Sequence, residues 1–426
     1  MRGLESGQDL PNPACARYGS LGYALAFVAL PLYITLPAHY AQEFGMPLAL
    51  LGGLLLAARL LDAVVDPWIG RLCDRALNLH PGRVLPLMMA AALLLAGGFV
   101  AVFFPPWRSQ QSLLIWCAGA LVLTYLGYSL LSVMHQAWGA RLGGSAVQQT
   151  RVVAWREGFA LTGVITASLL PSLIGLAGTA LVLALALCIG LWLLNRGPRA
   201  ESVIRPERSA RPDTSVWRSQ AFRRLMVVFL FNGIASAIPA SLLLFFVRDR
   251  LETPQWEGAY LAVYFSAAAL SLPLWLRMVK RFGHARSWAV AMLLAVAAFG
   301  WAALLGKGDS LAFTLVCLTS GLAMGADLAI PGALLARLIH GEGLGGQAEG
   351  AFFGWWNAAN KLNLALAAGL SLPMLQWLGY APGLRSEDAL QALSFAYCLL
   401  PCMLKLLAAA LLYQFWIRPP SLKELP

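Results

Sequence analysis

The stretch Arg59-Leu60-Leu61-Asp62-Ala63-Val64-Val65-Asp66-Pro67-Trp68-Ile69-Gly70-Arg71-Leu72-Cys73-Asp74-Arg75 decides how this chain is read. It continues a long apolar run, and on a helix Asp62 and Asp66 share one face about 6 Å apart. A charge at the centre of a bilayer costs roughly 2.5–3.5 kcal/mol even on the lenient insertion scale, and intramembrane charges are functional by default. Two acids one turn apart therefore mark an ion or proton site inside a membrane protein. Pro67 has no amide hydrogen, so it releases the carbonyl of Ala63 one turn earlier. A free carbonyl beside two carboxylates suits a hard cation such as Na+. The same pair can instead share a proton, because close like charges push one pKa upward. The competing structural reading is a static ion pair between Asp62 and Arg59.

The remainder of the sequence supplies the membrane. Of its 426 residues, 59% are hydrophobic and only 12% charged. Crossing a hydrocarbon core of ~30 Å takes about 20 apolar residues. Twelve runs qualify, at 17–42, 47–71, 84–104, 112–138, 150–173, 176–195, 219–248, 256–279, 286–305, 310–339, 346–377 and 387–416. None alternates strictly, which argues against a β-barrel. Outside the spans only Arg108, Arg248, Arg250, Lys307 and Arg385 fall on one side; most of the 31 basic residues fall on the other. The positive-inside rule then puts both termini in the cytoplasm of a multi-pass, bacterial-type inner-membrane protein. The net charge of +11 expresses topology, and no nucleic-acid partner is expected. Met1 to Ala14 are polar, so no cleavable signal peptide is expected. The seven cysteines lie mostly within spans and read as packing residues, not as a disulfide framework.

A basic, proline-containing connector divides the spans six and six. The expected organisation is a cytoplasmic tail (1–16), a six-helix bundle (17–195), a basic linker (196–218), a second six-helix bundle (219–417) and a short tail (418–426). An internal repeat supports the division: Ala29-Leu30-Pro31 returns as Ala237-Ile238-Pro239. The end of the second span, from Asp66-Pro67, returns as Leu272-Pro273 onward. Parallel six-span halves are a transporter layout, with the substrate site near mid-membrane. The acids are kept in the first half and lost in the second.

Other polar residues fall within the spans. Lys361 stands twelve residues past Glu349, about 18 Å along a helix, and shares a face with Asn357 and Asn360. Snorkelling to an interface fits poorly at that depth. Arg156 and Glu157 are shallower and either face the cavity or pair near the surface. Asp327 either lines the cavity or pairs with Lys361 or Arg156. Trp355 belongs to an aromatic cluster that lines a cavity or forms an interfacial belt. Gly70, Asp74 and Arg75 close the second span at the cytoplasmic face, where charges can latch the halves. A census of Arg59, Arg156 and Lys361 against Asp62, Asp66, Glu157 and Asp327 leaves one negative charge for a bound cation or proton.

These residues resemble the glycoside–pentoside–hexuronide:cation symporters of the major facilitator superfamily. The likeness spans both halves. It is sharpest at Tyr18-Gly19, Arg59 to Gly70, Trp155-Arg156-Glu157-Gly158, and Glu349-Gly350-Ala351-Phe352-Phe353-Gly354 leading to Lys361. The resemblance implies that Asp62 and Asp66 ligate the coupling cation and that Arg156 and Lys361 line the central cavity. Ser129 matches a hydroxyl residue near the family's cation site, and Ser132 is a further helper. Two family carboxylates are absent: ungapped matching puts Ala26 and Ser132 in their places. Coupling machinery is retained, whereas the acceptors for galactoside hydroxyls are not.

The expected protein is thus all-α, with twelve transmembrane helices in the major facilitator fold. It is a symporter of a small organic solute, sugar or sugar-like and possibly anionic or zwitterionic, coupled to Na+ or H+ by alternating access. No cofactor is expected; lipid surrounds a monomer. A proton-driven exporter and a lysophospholipid carrier are alternatives on the same fold. An intramembrane Mg-dependent prenyltransferase is the alternative of another class, since Asp-x-x-x-Asp also holds Mg-diphosphate.

Overall fold

The computed structural model describes residues 10–418 except 47, 80, 144, 199–215, 381, 382 and 385. Most of the basic linker, residues 199–215, and the tail segments 1–9 and 419–426 lie outside the described residues.

The described residues are mainly helical and follow the twelve expected spans. The first is built from α1 (Asn12–Gly19), α2 (Leu21–Leu30), a π-helical turn at Pro31–Thr35 and α3 (Leu36–Phe44). Then come α4 (Leu48–Leu79), α5 (Val84–Phe103), α6 (Gln110–Ala140) and α7 (Ala146–Asn195). The second half is α8 (Gln220–Phe245), α9 (Glu257–Phe282), α10 (His284–Ala302), α11 (Ser310–Gly341) and α12 (Glu349–Trp377). The last span joins α13 (Glu387–Ser394) to α14 (Leu400–Leu412) through a further π-helical turn, Phe395–Leu399. Eight of these helical segments are long and apolar enough to cross a membrane on length and composition alone. The charged α4 and α12 are not among them.

Local chemistry sets the ends of these rods. Ser109, Ser145, Ser219 and Ser386 each accept a hydrogen bond from an amide of the first turn, at the starts of α6, α7, α8 and α13. That satisfies donors with no partner inside the helix. α7 contains two spans, the fifth and the sixth. Gly175, at φ +70° and ψ 177°, breaks it between them, in a conformation that glycine alone adopts at little cost.

The chain divides into two compact units: Met1–Thr214 with Ile339–Ala358, and Ser215–Leu338 with Ala359–Pro426. The end of α11 and the first ten residues of α12 thus pack with the first half of the sequence. In the first unit α2 lies along α7, and Gly19 and Gly22 meet the backbone of Trp155 and Arg156. The core of the second unit is aromatic, with Phe246 stacked on Tyr397 at 4.2 Å and both close to Phe313.

Candidate functional site

The first unit holds the acidic pair. Asp66 is fully buried and Asp62 nearly so, at 0% and 8% exposure. Both project from α4, which continues helical through Pro67. Ser129 on α6 donates to Asp62 Oδ1 at 2.6 Å. Arg59 lies in the electrostatic reach of Asp62 and of the Tyr125 and Tyr128 hydroxyls. Tyr128 in turn faces Asp62, Asp66, Glu157 and Arg156. It lies within electrostatic reach of both the acidic pair and the Arg156–Glu157 pair, a role that the sequence analysis did not assign.

Arg156 and Glu157 pair with each other, with Arg156 Nε donating to Glu157 Oε1 at 2.9 Å. Tyr18 lies within reach of the same guanidinium and donates its hydroxyl to the His135 carbonyl at 2.9 Å. Ser132, buried, accepts from Gln136 Nε2 at 2.9 Å. Gln136 also donates to Asn357 Oδ1 at 3.1 Å, which ties α6 to α12. Ser129, Ser132 and Gln136 follow at i, i+3 and i+7, so they lie along one helix face.

Past the end of the second span, α4 meets the start of α12. Gly70 and Gly350 are in backbone contact with no room for a side chain on either. Asp74 accepts from the amides of Gly350 and Ala351, each at 2.7 Å, and so caps α12. A carboxylate is favoured there by the free amides and by the positive end of the helix dipole. Arg141, at the end of α6, bonds Glu349 Oε2 at 3.0 Å and approaches Asp74 Oδ1 to 3.6 Å. Asn78 adds a bond to the carbonyl of Gln347. Two acids thus face one arginine. Burial, with Glu349 nearby, pushes the Asp74 carboxyl up to about 7 despite the amides and Arg141. Arg75, grouped with Asp74 in the sequence analysis, is exposed. The basic member of the network is Arg141, which the sequence reading counted only as topology.

In the second unit, Asp327 on α11 sits at the meeting of four helices. Oδ1 accepts from Asn232 Nδ2 at 3.0 Å and from Trp288 Nε1 at 2.8 Å. Oδ2 accepts from Ser236 Oγ at 3.3 Å and from Lys405 Nζ at 2.9 Å. Lys405, buried on α14, also donates to Asn232 Oδ1 at 2.8 Å. The ion-pair partner of Asp327 is therefore Lys405, where the sequence reading offered Lys361 or Arg156. Lys405 was missed although the signal was present: one lysine in Leu400-Pro401-Cys402-Met403-Leu404-Lys405-Leu406-Leu407. With it, the census balances at four against four. Lys361, Asn357 and Trp355 are half-buried on α12, while Asn360 is exposed. Among the described residues no cluster of His, Cys, Asp and Glu could hold a metal ion.

The comparisons agree with this architecture. A family model described as MFS/sugar transport protein matches residues 15–418. The uncharacterized symporter YjmB of Bacillus subtilis is 22% identical over 413 residues, 92% of this chain and 88% of that protein. A putative sulfoquinovose importer of Escherichia coli is 25% identical over 434 residues, 93% of this chain and 88% of that protein. In structure, a bacterial homologue of the iron transporter ferroportin, solved outward-facing, superposes with a TM-score of 0.72. The match covers 95% of this chain and 99% of that one at 16% identity, and so speaks for the fold alone. The prenyltransferase alternative falls away. A chain of twelve helical spans matched by that family model over nearly its whole length is a multi-pass membrane transporter, not an enzyme, and belongs to the MFS/sugar transport protein family.

Proposed function

We propose that this transporter is a symporter that couples entry of a sugar or sugar-like solute to Na+ or H+ bound at Asp62 and Asp66. The observation that carries the reading is the local charge count around Tyr128 in the first unit, within reach of the acidic pair. Asp62, Asp66 and Glu157 stand there against Arg59 and Arg156, one positive charge short. The Lys405–Asp327 pair cancels within the second unit and leaves that deficit untouched. A bound Na+ or a proton neutralises the set, with Ser129 and Ser132 supplying hydroxyl oxygens beside the carboxylates.

Arg156 and Lys361 are the groups assigned to the solute, with Asn357, Asn360 and Trp355 beside Lys361 on α12. They suit a solute with an anionic group, in keeping with the sulfoquinovose importer among the relatives. The contact of Gly70, Asp74 and Arg141 with the start of α12, at Glu349 to Ala351, acts as a gate that opens and closes in the transport cycle. Both termini face the cytoplasm of the inner membrane, and the transporter works as a monomer.

The test is the thermal midpoint of purified protein in sodium chloride against choline chloride, and in acid against neutral buffer. The coupling cation raises the midpoint of the wild type. Asp62→Asn and Asp66→Asn fold normally and lose that increment, since an amide keeps the shape and loses the charge. A wild-type increment in both variants refutes the cation-site assignment.

A further inference from the structure

Beyond the gate itself, the first turns of α12 reach the acidic pair by two separate routes. Gly354 meets α4 at Asp66: a methyl group added there would lie 2.6 Å from the Asp66 carbonyl oxygen and 3.2 Å from the Cα atoms of Pro67 and Gly70. Gly350 and Gly354, four apart, present one bare strip of backbone to α4, the arrangement that allows close helix crossings in membranes. The second route runs along α6. Ser129 holds Asp62, and Gln136 on the same face donates to both Ser132 and Asn357. Gly354 and Asn357 are three residues apart and so share a face of α12. One acid is thus reached through the backbone of α4, the other through the side chains of α6.

We infer that Gly354 and Asn357, the latter through Gln136, are the positioning residues that carry cation occupancy to α12. The inference rests on the cation-site reading above. A cation drawing the two carboxylates together displaces the turn of α4 between Asp62 and Asp66. The carbonyl of that turn abuts Gly354 with no side chain between them, and close-packed interiors transmit such a shift instead of absorbing it. Reorientation of Ser129 turns the face of α6 that Gln136 occupies, and the bond to Asn357 passes that turn on. α12 then moves as a rod, carrying Lys361 one turn beyond Asn357. The element with two discrete arrangements, which coupling requires, is the capped start of α12.

The experiment is amide hydrogen exchange of residues 349–358 in the full-length purified protein, with sodium chloride against choline chloride and acid against neutral buffer. In the wild type the coupling cation slows exchange across this segment. Gln136→Leu and Asn357→Leu each lose about fivefold of that protection, the equilibrium scale of one neutral hydrogen bond. Cation protection of the peptide carrying Asp62 and Asp66 persists in both. Asn357→Asp keeps the acceptor and retains the response. The double variant Gln136→Leu/Asn357→Leu loses no more than either single one. A wild-type response in both single variants overturns the inference. A wild-type response in Asp62→Asn overturns the cation-site reading instead, so the two failures are told apart. If Gln136→Leu does not fold, Asn357→Leu against Asn357→Asp decides the matter alone.

Discussion

Lys405→Met is the sharpest perturbation of the second unit. It keeps an unbranched apolar side chain in the buried place of Lys405 and deletes the ammonium that faces Asp327 Oδ2 and Asn232 Oδ1. Asp327 keeps three neutral donors, from Asn232, Trp288 and Ser236, and loses its counter-charge. Removing one partner of a buried pair costs about 3–5 kcal/mol, because the other charge is left uncompensated. Asp327→Asn costs a similar amount for a different reason. An amide has one acceptor oxygen where the site directs four donors, and its own NH2 then faces donors. The double variant removes both charges, and such replacements are often close to neutral, so it is more stable than either single variant. Unfolding entropy of roughly 2.1 cal/mol/K per residue gives about 0.9 kcal/mol/K for a chain of this length, so each kcal/mol moves the midpoint by about 1 °C. The expected drops are therefore about 3–5 °C for each single variant, with a smaller drop for the double. Scanning calorimetry in detergent at fixed pH reads them directly. Single variants within 1 °C or so of wild type, or a double variant as unstable as the two drops added together, refute the network as described.

Two further predictions concern the gate and the solute. The Asp74 carboxyl, raised from 3.8 to about 7 where it caps α12, binds its proton more tightly there than when solvated, so on the gate reading proposed above acid favours the closed contact. That advantage is full below about pH 4, declines as pH rises toward 7 and is spent above it; at 1.36 kcal/mol per unit it amounts to about 4 kcal/mol. Alkylation of Cys73, completely buried beside Asp74, should accordingly rise with pH relative to Asp74→Asn, and equal pH profiles in the two proteins refute the assignment. Ala26 and Ser132 cannot hold two sugar hydroxyls as carboxylates do, and charge-assisted bonds are roughly twice as strong as neutral ones. Proteoliposomes are therefore expected to show no Na+- or H+-stimulated melibiose uptake, and robust stimulated uptake refutes the matching of the first and fourth spans.

Most spans were legible because they are long and continuously apolar, a signal that needs no knowledge of neighbours. The division of α7 was legible for the same reason: the apolar run falters around Gly175, where the chain turns. Asp62 and Asp66 stood out because bilayer chemistry makes two acids on one face conspicuous. The partners of buried charges were harder to read. Lys405 lies 78 residues from Asp327 in sequence, and no periodicity links α11 to α14. Arg141 looks like any basic residue at a span end, and only packing shows that it closes onto Glu349, 208 residues away. Gln136 carries no charge and so raised no question, although its place on the face of Ser129 and Ser132 was computable from spacing alone. The assignment of 339–358 to the first unit has no sequence signature. It depends on bare backbone at Gly70, Gly350 and Gly354, and glycines are too frequent in membrane helices to announce a crossing.

The two buried acidic networks differ in how easily each can come apart, and the difference follows from donor counts. Asp327 receives four donors, one of them an ammonium, so any motion that separates α8, α10, α11 and α14 leaves several buried groups bare at once. Leaving a single such group unsatisfied costs about 1–3 kcal/mol, and charged groups cost more. The four helices are therefore bound to move together. The cluster at the start of α12 has the opposite balance. Two carboxylates share one guanidinium, and burial works against the charge on Asp74. The amides of Gly350 and Ala351 lie at a helix terminus, where water can replace a side-chain acceptor. Opening there exchanges an over-acidic buried cluster for solvated groups, and the desolvation recovered offsets the bonds lost. A transporter that alternates needs one polar network that holds and another that yields. On the reading proposed here, the saturated Asp327 site holds the second unit together while the strained charge balance at Asp74 lets α12 go.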